Sequence, residues 1–584
     1  TLARLSRATG KANYAPYALS RMRYTPAEGL TASSTVFFEE FLPVSAHITP
    51  HYYVGAYTEQ EVHGNKRWLM ETIRSAPGLA HNVGGDFTFD IMRAEPPAKD
   101  AVIALEEGAE ALVPVFGTAD GQVLTAQTET VDDCIWLNPA TPNYFRLNAT
   151  TRLSSAEDFV VGTPIRIGHS PARRKLVLNI LVDGLSWNIA RTRFPDCMPN
   201  IARFFARGVI FDQHFSTSEC TYPALPVIET GCYPQHTQVF NERDSHEIPL
   251  DFKTLSECMT DLGYYAAAPM GASDSVCCGA LRGYDLLNVS AWKLSSAEMA
   301  DRAIMQIEAF DETDQFLYLH TTDVHPWNAK GFKFHPAVET HLPLRQRLFD
   351  IDAHIASVRL PKLRIYQEQF WQSLAHADRS IGHLLTYIEE RFRPDEYIVS
   401  LYSDHGNSVF TTPTGGVVDV IGENSTRAAW MMRGAGIPEG MVIPELTSIA
   451  DIYPTLGALA GFPAASDIDG NLPAVFGGTE RDAVCSVSMF PGQTYKLAVR
   501  THEYTMRLET RAVLDEDGTA DFADARAAIY PRAHELEEGY EIDSAELRAF
   551  FYPRARDFVR EIANNGEFWP AMRAARPTWF GGQP

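Results

Sequence analysis

The sequence "KLVLNILVDG" at residues 175–184 contains a nearly continuous apolar run that ends in Asp-Gly. Such a run is typical of a strand buried on both faces of a parallel sheet. Similar runs stop abruptly at polar residues in "DQFLYLHTTDVHP" (314–326) and "DEYIVSLYSDHG" (395–406), and amphipathic helical sequence such as 366–392 lies between them. This alternation predicts an α/β fold with a doubly wound, mostly parallel sheet, whose ligands bind beyond the carboxyl ends of the strands.

The sequence on either side of this region has a different texture. Residues 35–168 consist of short β-like runs broken by Gly, Pro and Asn, which favours an antiparallel sheet or sandwich. Residues 481–584 combine a strand pair with acidic helical sequence. We therefore predict an N-terminal arm at 1–34, a β-rich domain at 35–168, the main α/β domain at 175–480, and a small C-terminal α+β subdomain at 481–584.

The composition limits the classes of partner. The 584 residues include 74 acidic and 50 basic side chains, giving a formal charge of −24 without a long basic run. Nucleic acid is therefore excluded as the main partner, and an anionic substrate needs a local positive centre. No apolar run is long enough for a transmembrane helix, and the first residues lack the apolar core of a signal peptide. We expect a soluble protein, with a cytoplasmic location favoured and homo-oligomerisation left open.

Four residues with metal-binding or nucleophilic side chains follow the predicted strands: Asp183, Thr221, Asp404 and His405. Two carboxylates, an imidazole and a hydroxyl form a mixed oxygen and nitrogen shell that suits a divalent cation such as Mn²⁺ or Zn²⁺. Each residue taken alone has a structural alternative, because an Asp at the end of a strand is often a turn former or a helix cap. Their occurrence at successive strand ends favours a shared site.

Thr221 lies beside Cys220 in "STSECTYPALPVIETGCYPQH" (216–236). The prolines that follow it and Gly231 predict a short helix that begins right after Thr221. The free N–H groups and the dipole of this helix would face a bound phosphate. A threonine hydroxyl becomes a good nucleophile when metal coordination favours its alkoxide. The alternative is that Thr221 is only the N-cap of the helix.

The order of motifs resembles a known family. "VDG" after a strand, "TYPA…TGCYPQH" followed by "VFN", "YLHTTDVHPW", "SDHG" and "SIADIYPTLGALAGFP" occur in the order seen in the alkaline phosphatase superfamily, particularly its sulfatase-like branch. The resemblance covers about residues 175–575. It implies that Asp183, Asp404 and His405 are metal ligands and that Thr221 is both a ligand and the nucleophile.

The resemblance also implies roles for residues outside this set. Asn241 falls near the place of an asparagine that holds a phosphate oxygen in the nucleotide pyrophosphatase and phosphodiesterase branch. His325 occupies the place of a histidine that touches the transferred group or leaving oxygen, so we expect it to be the general acid, although it could equally be a packed loop residue. The weaker candidates for substrate binding are Arg427, Arg282 and Asp323.

Departures from the family pattern favour one chemistry. In sulfatases a cysteine two residues before the proline is oxidised to formylglycine, but here Thr221 stands at that place and Cys220 is one position too early. This difference favours phosphoryl transfer. The histidines of a second metal site are missing beyond "SDHG", so we expect one divalent ion, Mn, Zn or Ca, as in lipoteichoic acid synthase and phosphoethanolamine transferases.

The sequence thus predicts a metal-dependent phosphoester hydrolase or phosphotransferase, of the phosphodiesterase or phosphomonoesterase type, that acts through a covalent phosphothreonine. Its substrate would be an anionic phosphate ester that could be attached to a lipid or a glycan. Two alternatives stay open. One is a sulfatase that works without formylglycine, and the other is a catalytically degenerate member that binds a carbohydrate or a partner.

Overall fold

The computed structural model describes residues from 88 to 560, together with the backbone of short strands between 22 and 68. Side chains are described from residue 92 onward. The range 88–560 excludes residues 96, 118, 120, 138–141, 241–247, 250, 273–277, 281, 291–294, 328–333, 349–356, 414–417, 466, 491, 515–519 and 524. The chain divides into two compact units: unit one contains Thr1–Val177, Ser256–Leu294 and Arg302–Leu319, and unit two contains Leu178–Leu255, Ser295–Asp301 and His320–Pro584.

The strands of the described residues are numbered in chain order. They are β1 Met22–Thr25, β2 Gly29–Ala32, β3 Leu42–Pro43, β4 Tyr52–Gly55, β5 Glu59–Val62, β6 Asn65–Trp68, β7 Thr88–Ala94, β8 Ala98–Ile103, β9 Ala111–Gly117, β10 Val123–Gln127, β11 Asp132–Trp136, β12 Asn143–Leu147, β13 Thr151–Val161, β14 Ile165–Arg166, β15 Leu176–Val182, β16 Val209–Phe215, β17 Tyr265–Ala272, β18 Leu286–Ser290, β19 Gln315–Thr321, β20 Tyr397–Tyr402, β21 Trp430–Gly434, β22 Met441–Ser448, β23 Val484–Ser488, β24 Thr494–Arg500, β25 Tyr504–Val513 and β26 Arg526–Pro531.

The α-helices are numbered in the same way. They are α1 Trp187–Ala190, α2 Pro199–Phe205, α3 Thr221–Thr230, α4 Pro234–Thr237, α5 Leu255–Asp261, α6 Ser296–Ala309, α7 Pro336–Glu339, α8 Leu344–Arg347, α9 Arg364–Arg391, α10 Glu423–Thr426, α11 Ile452–Ala460 and α12 Ala545–Arg560.

Unit one is rich in β-structure. Its antiparallel sheet has the order β11-β10-β13-β9-β12, with β8 beside β13 and β14 beside β9. An apolar core that includes Val113, Leu124 and Phe159 lies on this sheet. In the same unit β17 pairs in parallel with β18, and β18 pairs antiparallel with β7. Within the described residues, the β-like runs of the N-terminal sequence therefore do form strands.

Unit two contains the α/β region. Strand β16 lies between β22, with which it is parallel, and β21, with which it is antiparallel. Strand β20 pairs with β21, and β15 lies beside β20. Every residue of β15 and β20 is buried, as their continuous apolar runs predict. The polar residues that follow these two strands therefore emerge directly from the core.

The C-terminal part of unit two is a separate antiparallel sheet of order β23-β24-β25-β26, and helix α12 contacts β24. Arg500 at the end of β24 is fully buried, and its guanidinium lies 2.8 Å from the carboxylate of Glu535. A buried cation is tolerated when it is paired in this way.

The architecture agrees with the predicted fold class: an α/β fold with a β-rich N-terminal region is confirmed. The domain boundaries drawn from the texture of the sequence stay a prediction. Among the helices of the described residues, none is both long enough and apolar enough to cross a membrane.

Candidate active site

The structure brings four of the predicted site residues together in unit two. Asp183 follows β15, Asp404 and His405 follow β20, and Thr221 is the first residue of α3. The hydroxyl Oγ1 of Thr221 lies 3.3 Å from Asp183 Oδ2 and 3.2 Å from His405 Nε2. All four side chains are buried. Residues that are far apart in the sequence therefore form one polar cluster at the ends of two strands.

Helix α3 places the threonine hydroxyl in this cluster. The N-cap residue of α3 is Cys220, whose backbone is extended, and the helix ends at Gly231 in a left-handed conformation. The helix thus begins one residue earlier than we predicted, and Thr221 is its first residue instead of its cap. Because its hydroxyl contacts Asp183 and His405, the interpretation of Thr221 as only an N-cap does not hold. Cys220 Sγ instead lies 3.8 Å from Ser218 Oγ.

His405 directs one ring nitrogen into the cluster. Its Nδ1 lies 2.7 Å from the carbonyl oxygen of Gly406, so Nδ1–H is assigned as the donor and Nε2 carries the lone pair. Nε2 lies 3.4 Å from Asp183 Oδ1 and 3.4 Å from Asp404 Oδ2. Burial lowers the pKa of His405, but the two carboxylates outweigh it, so its pKa is raised overall.

The two carboxylates are buried close together, and each has an oxygen 3.4 Å from Nε2 of His405. Burial, and then the negative charge of Asp404, raise the pKa of Asp183 well above its usual value. Asp404 Oδ1 accepts hydrogen bonds from the N–H groups of His405 at 2.9 Å and Gly184 at 3.3 Å. Asp404 Oδ2 is buried and has no hydrogen-bond partner among the described residues. An unpaired buried carboxylate oxygen is costly unless a cation binds it.

These observations fit a divalent metal ion. Ligand atoms of Asp183, His325 and His405 all lie within 4.8 Å of one another. The unpartnered Asp404 Oδ2 and the Thr221 hydroxyl adjoin the same group. Carboxylate oxygens and imidazole nitrogens are ligands for Mn²⁺ and Zn²⁺ alike, so the donor set supports a divalent ion without selecting one.

Two glycines allow the site residues to approach each other. Gly184 has a φ of +69°, and a Cβ atom there would lie 3.1 Å from the Cα of His325. A Cβ atom on Gly406 would lie only 2.2 Å from the carbonyl oxygen of Asn424. The Asp-Gly and His-Gly pairs at these strand ends therefore have a steric reason, because a side chain would push apart the loops that carry the cluster.

His325 lies at the edge of the cluster, with Nε2 at 3.8 Å from Asp183 Oδ1. Its Nδ1 is buried without a hydrogen-bond partner within the described part of the chain, and its carbonyl oxygen accepts a hydrogen bond from Gln369 at 3.0 Å. Burial, followed by the positive charges of His405 and His320, lowers the pKa of His325 well below its usual value. A bound anion would raise this pKa.

The sequence did not single out His320, which belongs to the same cluster. It is fully buried near the end of β19, and its Nε2 lies 3.1 Å from Asp183 Oδ2. The apolar run around it reads as a buried strand, and that pattern hides a functional histidine. The available signal was an ionisable residue inside a mostly apolar strand. In the structure, the next residue, Thr321, accepts a hydrogen bond from the N–H of Asp183 through its carbonyl oxygen.

The remaining candidates have other partners or lie outside the described residues. Asn241 is in an undescribed segment. Arg427 donates to the carbonyl and the carboxylate of Asp212, both at 2.8 Å. Asp323 Oδ2 accepts hydrogen bonds from the backbone N–H and the hydroxyl of Ser296, at the start of α6.

Arg282, in unit one, is buried and lies 2.9 Å from Glu257. A role of these residues in substrate binding stays a prediction.

Comparison with known proteins gives three results. The sulfatase family model matches residues 175–462. Arylsulfatase A from Homo sapiens is 30% identical over 186 residues, which cover 30% of this chain and 36% of that protein. The chain therefore matches only about a third of the length of this relative.

Solved structures share the fold at low sequence identity. The phosphonate monoester hydrolase from Silicibacter pomeroyi has a TM-score of 0.50 at 13% identity, covering 66% of this chain and 95% of that one. A 2-O GAG sulfatase has a TM-score of 0.50 at 17% identity, covering 68% of this chain and 93% of that one. At these identities the likeness concerns the fold alone.

Proposed function

We propose that the protein is a metal-dependent hydrolase of anionic esters with Thr221 as its nucleophile, on the premise that residues 175–462 match the sulfatase family model of the alkaline phosphatase superfamily. The observation that carries the proposal is the position of Thr221 Oγ1, 3.3 Å from Asp183 and 3.2 Å from His405. In this geometry the threonine, and not Cys220, presents its reactive atom to the candidate metal ligands.

We favour phosphate esters as the substrates. A phosphorus centre accepts an alkoxide nucleophile in line, and hydrolysis of the resulting phosphothreonine regenerates the threonine. A threonine at this place cannot supply the aldehyde on which formylglycine chemistry depends, because oxidation of its secondary alcohol would give a ketone. A second candidate function, hydrolysis of sulfate esters, is favoured by the sulfatase family match and by the 30% identity to arylsulfatase A.

A divalent ion bound by Asp183, Asp404, His405 and Thr221 would favour the alkoxide and neutralise charge on the substrate. In the free protein the Thr221 hydroxyl donates a hydrogen bond to the Asp183 carboxylate, and formation of the alkoxide would release this proton to water. Thr221 and Tyr222 are the first two residues of helix α3, so their N–H groups lie at its positive end, and Pro223 contributes no N–H there.

Thr221 Oγ1 then forms a bond to phosphorus, and the bond from phosphorus to the leaving oxygen breaks. His325 gives a proton to that oxygen, and a water molecule or an acceptor hydroxyl later releases the phosphoryl group from Thr221. With water, the net reaction converts an ester and water into an alcohol and a phosphate. Transfer would require a second alcohol in place of this water.

The test is a panel of aryl phosphate monoesters, phosphodiesters, phosphonates and sulfates with Mn²⁺, Zn²⁺ or Ca²⁺ added. We expect phosphorus esters to turn over and to label Thr221 after an acid quench. Thr221→Ala should lower kcat at least about 10⁴-fold, because loss of a nucleophile removes the covalent route. The matched control is Cys220→Ala, which should retain activity.

Other outcomes distinguish the alternatives. Sulfate turnover that survives Thr221→Ala and is lost in Cys220→Ala would contradict the assignment of the nucleophile and support a sulfatase. A protein that binds no divalent ion and turns over no ester in the panel would contradict an enzymatic function, and would support a binding role for this domain.

A further inference from the structure

His320 contacts the carboxylate of Asp183 at the oxygen that lies away from His405 and His325. Asp183 Oδ1 lies 3.4 Å from His405 Nε2 and 3.8 Å from His325 Nε2. Asp183 Oδ2 lies 3.1 Å from His320 Nε2. The three histidines are therefore divided between the two oxygens: His405 and His325 lie near Oδ1, whereas His320 lies near Oδ2, which it shares with the Thr221 hydroxyl at 3.3 Å.

The end of β19 holds Asp183 at two points. Besides the side-chain contact of His320, the backbone N–H of Asp183 donates to the carbonyl oxygen of Thr321 at 3.0 Å. Both the histidine and the threonine are completely buried. A buried imidazole is costly unless its polar atoms are used, so the position of His320 has to be compensated by such contacts.

His320 lies outside the group of atoms that could bind one ion together. In the described part of the chain, that group contains Asp183, His325 and His405, whose ligand atoms are within 4.8 Å of one another. The imidazole of His320 thus reaches the carboxylate and not the centre of the ligand group. This arrangement fits a hydrogen bond to a metal ligand better than a bond to the metal.

We propose that His320 is a positioning residue that donates Nε2–H to Asp183 Oδ2 and so turns Asp183 Oδ1 toward the metal ion. The proposal rests on the metal site of the proposed function. Hydrogen bonds to the ligands of a metal orient them, and their loss typically weakens metal binding about 10- to 100-fold. His320 would act on the reaction only through Asp183.

The experiment measures metal affinity in addition to activity. The dissociation constants of Mn²⁺ and Co²⁺ are measured by calorimetry for the wild type, His320→Ala and His320→Gln. We expect His320→Ala to weaken binding about 10- to 100-fold. His320→Gln should remain within about threefold of the wild type, because its amide N–H can replace the donor while the amide is a poor metal ligand.

The visible absorption of bound Co²⁺ reports on the ligand set separately from affinity. Positioning predicts that the Co²⁺ bands of His320→Gln coincide with those of the wild type. In turnover assays, a saturating metal concentration should bring kcat of His320→Ala close to the wild-type value. At a low metal concentration the activity of this variant should stay well below that of the wild type. A residue with only a packing role would not make activity depend on the metal concentration in this way.

The matched control is His214→Gln. His214 is also a fully buried strand histidine of unit two, and its Nδ1 lies 3.0 Å from Thr447 Oγ1, away from the cluster. We expect this variant to bind Mn²⁺ as the wild type does. Circular dichroism and melting temperatures of all variants verify that each one is folded, and His320→Gln keeps the test usable if His320→Ala does not fold.

Three results would overturn the proposal in distinguishable ways. Unchanged metal affinity in folded His320→Ala would show that His320 does not position Asp183. Equal loss of affinity in the Ala and Gln variants, with shifted Co²⁺ bands in His320→Gln, would show that His320 is itself a ligand. Failure of the wild type to bind any of these ions would contradict the proposed function, before the role of His320 is tested.

Discussion

Cys220 and Thr221 are neighbours in the chain but have different surroundings. Cys220 is the extended N-cap residue of α3, with its sulfur near Ser218, whereas the Thr221 hydroxyl faces Asp183 and His405. The change from extended to helical backbone between the two residues turns their side chains in different directions. A shift of one residue therefore decides which side chain faces the candidate metal ligands.

His325 is expected to protonate the leaving group. His325→Ala should lower kcat about 10²- to 10⁴-fold for an alkyl phosphate, because a poor leaving group depends on general acid catalysis. For p-nitrophenyl phosphate the loss should be much smaller, since that leaving group departs without a proton. Rates for a series of aryl phosphates of increasing leaving-group pKa measure this difference.

The position of His325 near Asp183 also allows it to be a metal ligand, and the same series separates the two roles. If His325 bound the metal, His325→Ala would slow good and poor leaving groups equally and would weaken Mn²⁺ binding. A leaving-group dependence as flat as that of the wild type would contradict the role of general acid.

Asp404→Asn should separate metal binding from the stability of the metal-free protein. The variant loses the unpartnered oxygen Oδ2, so we expect Mn²⁺ to bind at least about 100-fold more weakly. It also removes the negative charge that raises the pKa of Asp183, so the metal-free variant should melt a few degrees higher than the wild type. Melting curves with EDTA and with Mn²⁺ measure both effects.

The control for this variant is Asp419→Asn. Asp419 pairs with Arg507 at 2.7 Å, and this pairing helps to keep the pKa of Asp419 below its usual value. Asp419→Asn should therefore lower the melting temperature with and without metal. A fall of the same kind in metal-free Asp404→Asn would show that Asp404 is stabilised by partners within the protein.

At the scale of single residues, the sequence predicted which residues form the candidate site better than it predicted which residues contact each other. Asp183, Thr221, Asp404 and His405 stand out because polar residues interrupt apolar runs, and the structure brings these four together. His320 was missed because it lies within the buried strand β19, directly after the apolar residues 316–319, where a polar residue reads as the end of the strand. The partner of Arg427, Asp212, is separated from it by more than two hundred residues, and single-sequence patterns carry no information about such pairs.

At the level of elements, Gly184 connects β15 to the site. Gly184→Ala should destabilise the protein by about 1–3 kcal/mol, because a side chain at positive φ is strained and its Cβ would press on His325. We also expect a fall in kcat, since displacement of His325 disturbs the leaving-group end of the site. Thermal melting and steady-state kinetics measure the two effects.

Gly121→Ala is a matched control, because Gly121 has the same φ of +69° with no atom within 4 Å of the added Cβ. It should show the backbone strain but keep wild-type kcat. If Gly184→Ala also kept wild-type kcat, the close approach of Gly184 to His325 would have no catalytic importance.

Asp285 joins two strands of unit one and makes stability depend on pH. Asp285 immediately precedes β18, and its Oδ2 accepts a hydrogen bond from the backbone N–H of Ala266 in β17 at 3.1 Å. Burial raises the pKa of Asp285 from 3.8 to about 6. Between pH 3.8 and about 6, the folded state therefore keeps a proton on this carboxyl group that the unfolded state has released. Stability from this group is thus greatest below about pH 4 and is lost as the pH rises to about 6.

Asp285→Asn should remove this loss. Between pH 4.5 and 7 the variant should gain roughly 2 kcal/mol relative to the wild type, seen as several degrees in the melting temperature of unit one. Melting curves across this pH range test the expectation. A constant difference between variant and wild type at every pH would show that Asp285 has an ordinary pKa in the folded protein.

Helices and strands were predictable where residues close together in the sequence determine them. β15 and β20 were predicted because strands buried on both faces require continuous apolar sequence. The antiparallel direction of β21 was not predictable, since residues 430–434 read as one more apolar strand and direction follows from connections elsewhere. The start of α3 differed by one residue because Cys220, which is not a usual cap, occupies the N-cap.

At the level of the whole molecule, charge acts against the proposed substrate. The formal net charge is −24, so an anionic ester approaches a protein of the same sign. A divalent ion at the candidate metal site would offer a local positive centre. Catalysis therefore depends on a local attraction that has to overcome a long-range repulsion.

This balance predicts an unusual effect of salt. Raising NaCl from about 10 to about 150 mM shortens the screening length from roughly 30 Å to roughly 8 Å, which weakens the long-range repulsion more than contacts within the site. For a dianionic aryl phosphate we expect kcat/KM to increase about 2- to 10-fold over this range, with little change in kcat. A monoanionic diester with the same leaving group serves as the control and should respond less, because its charge is smaller. A decrease of kcat/KM with salt would show that the positive field of the metal site, and not the net charge of the protein, governs the approach of the substrate.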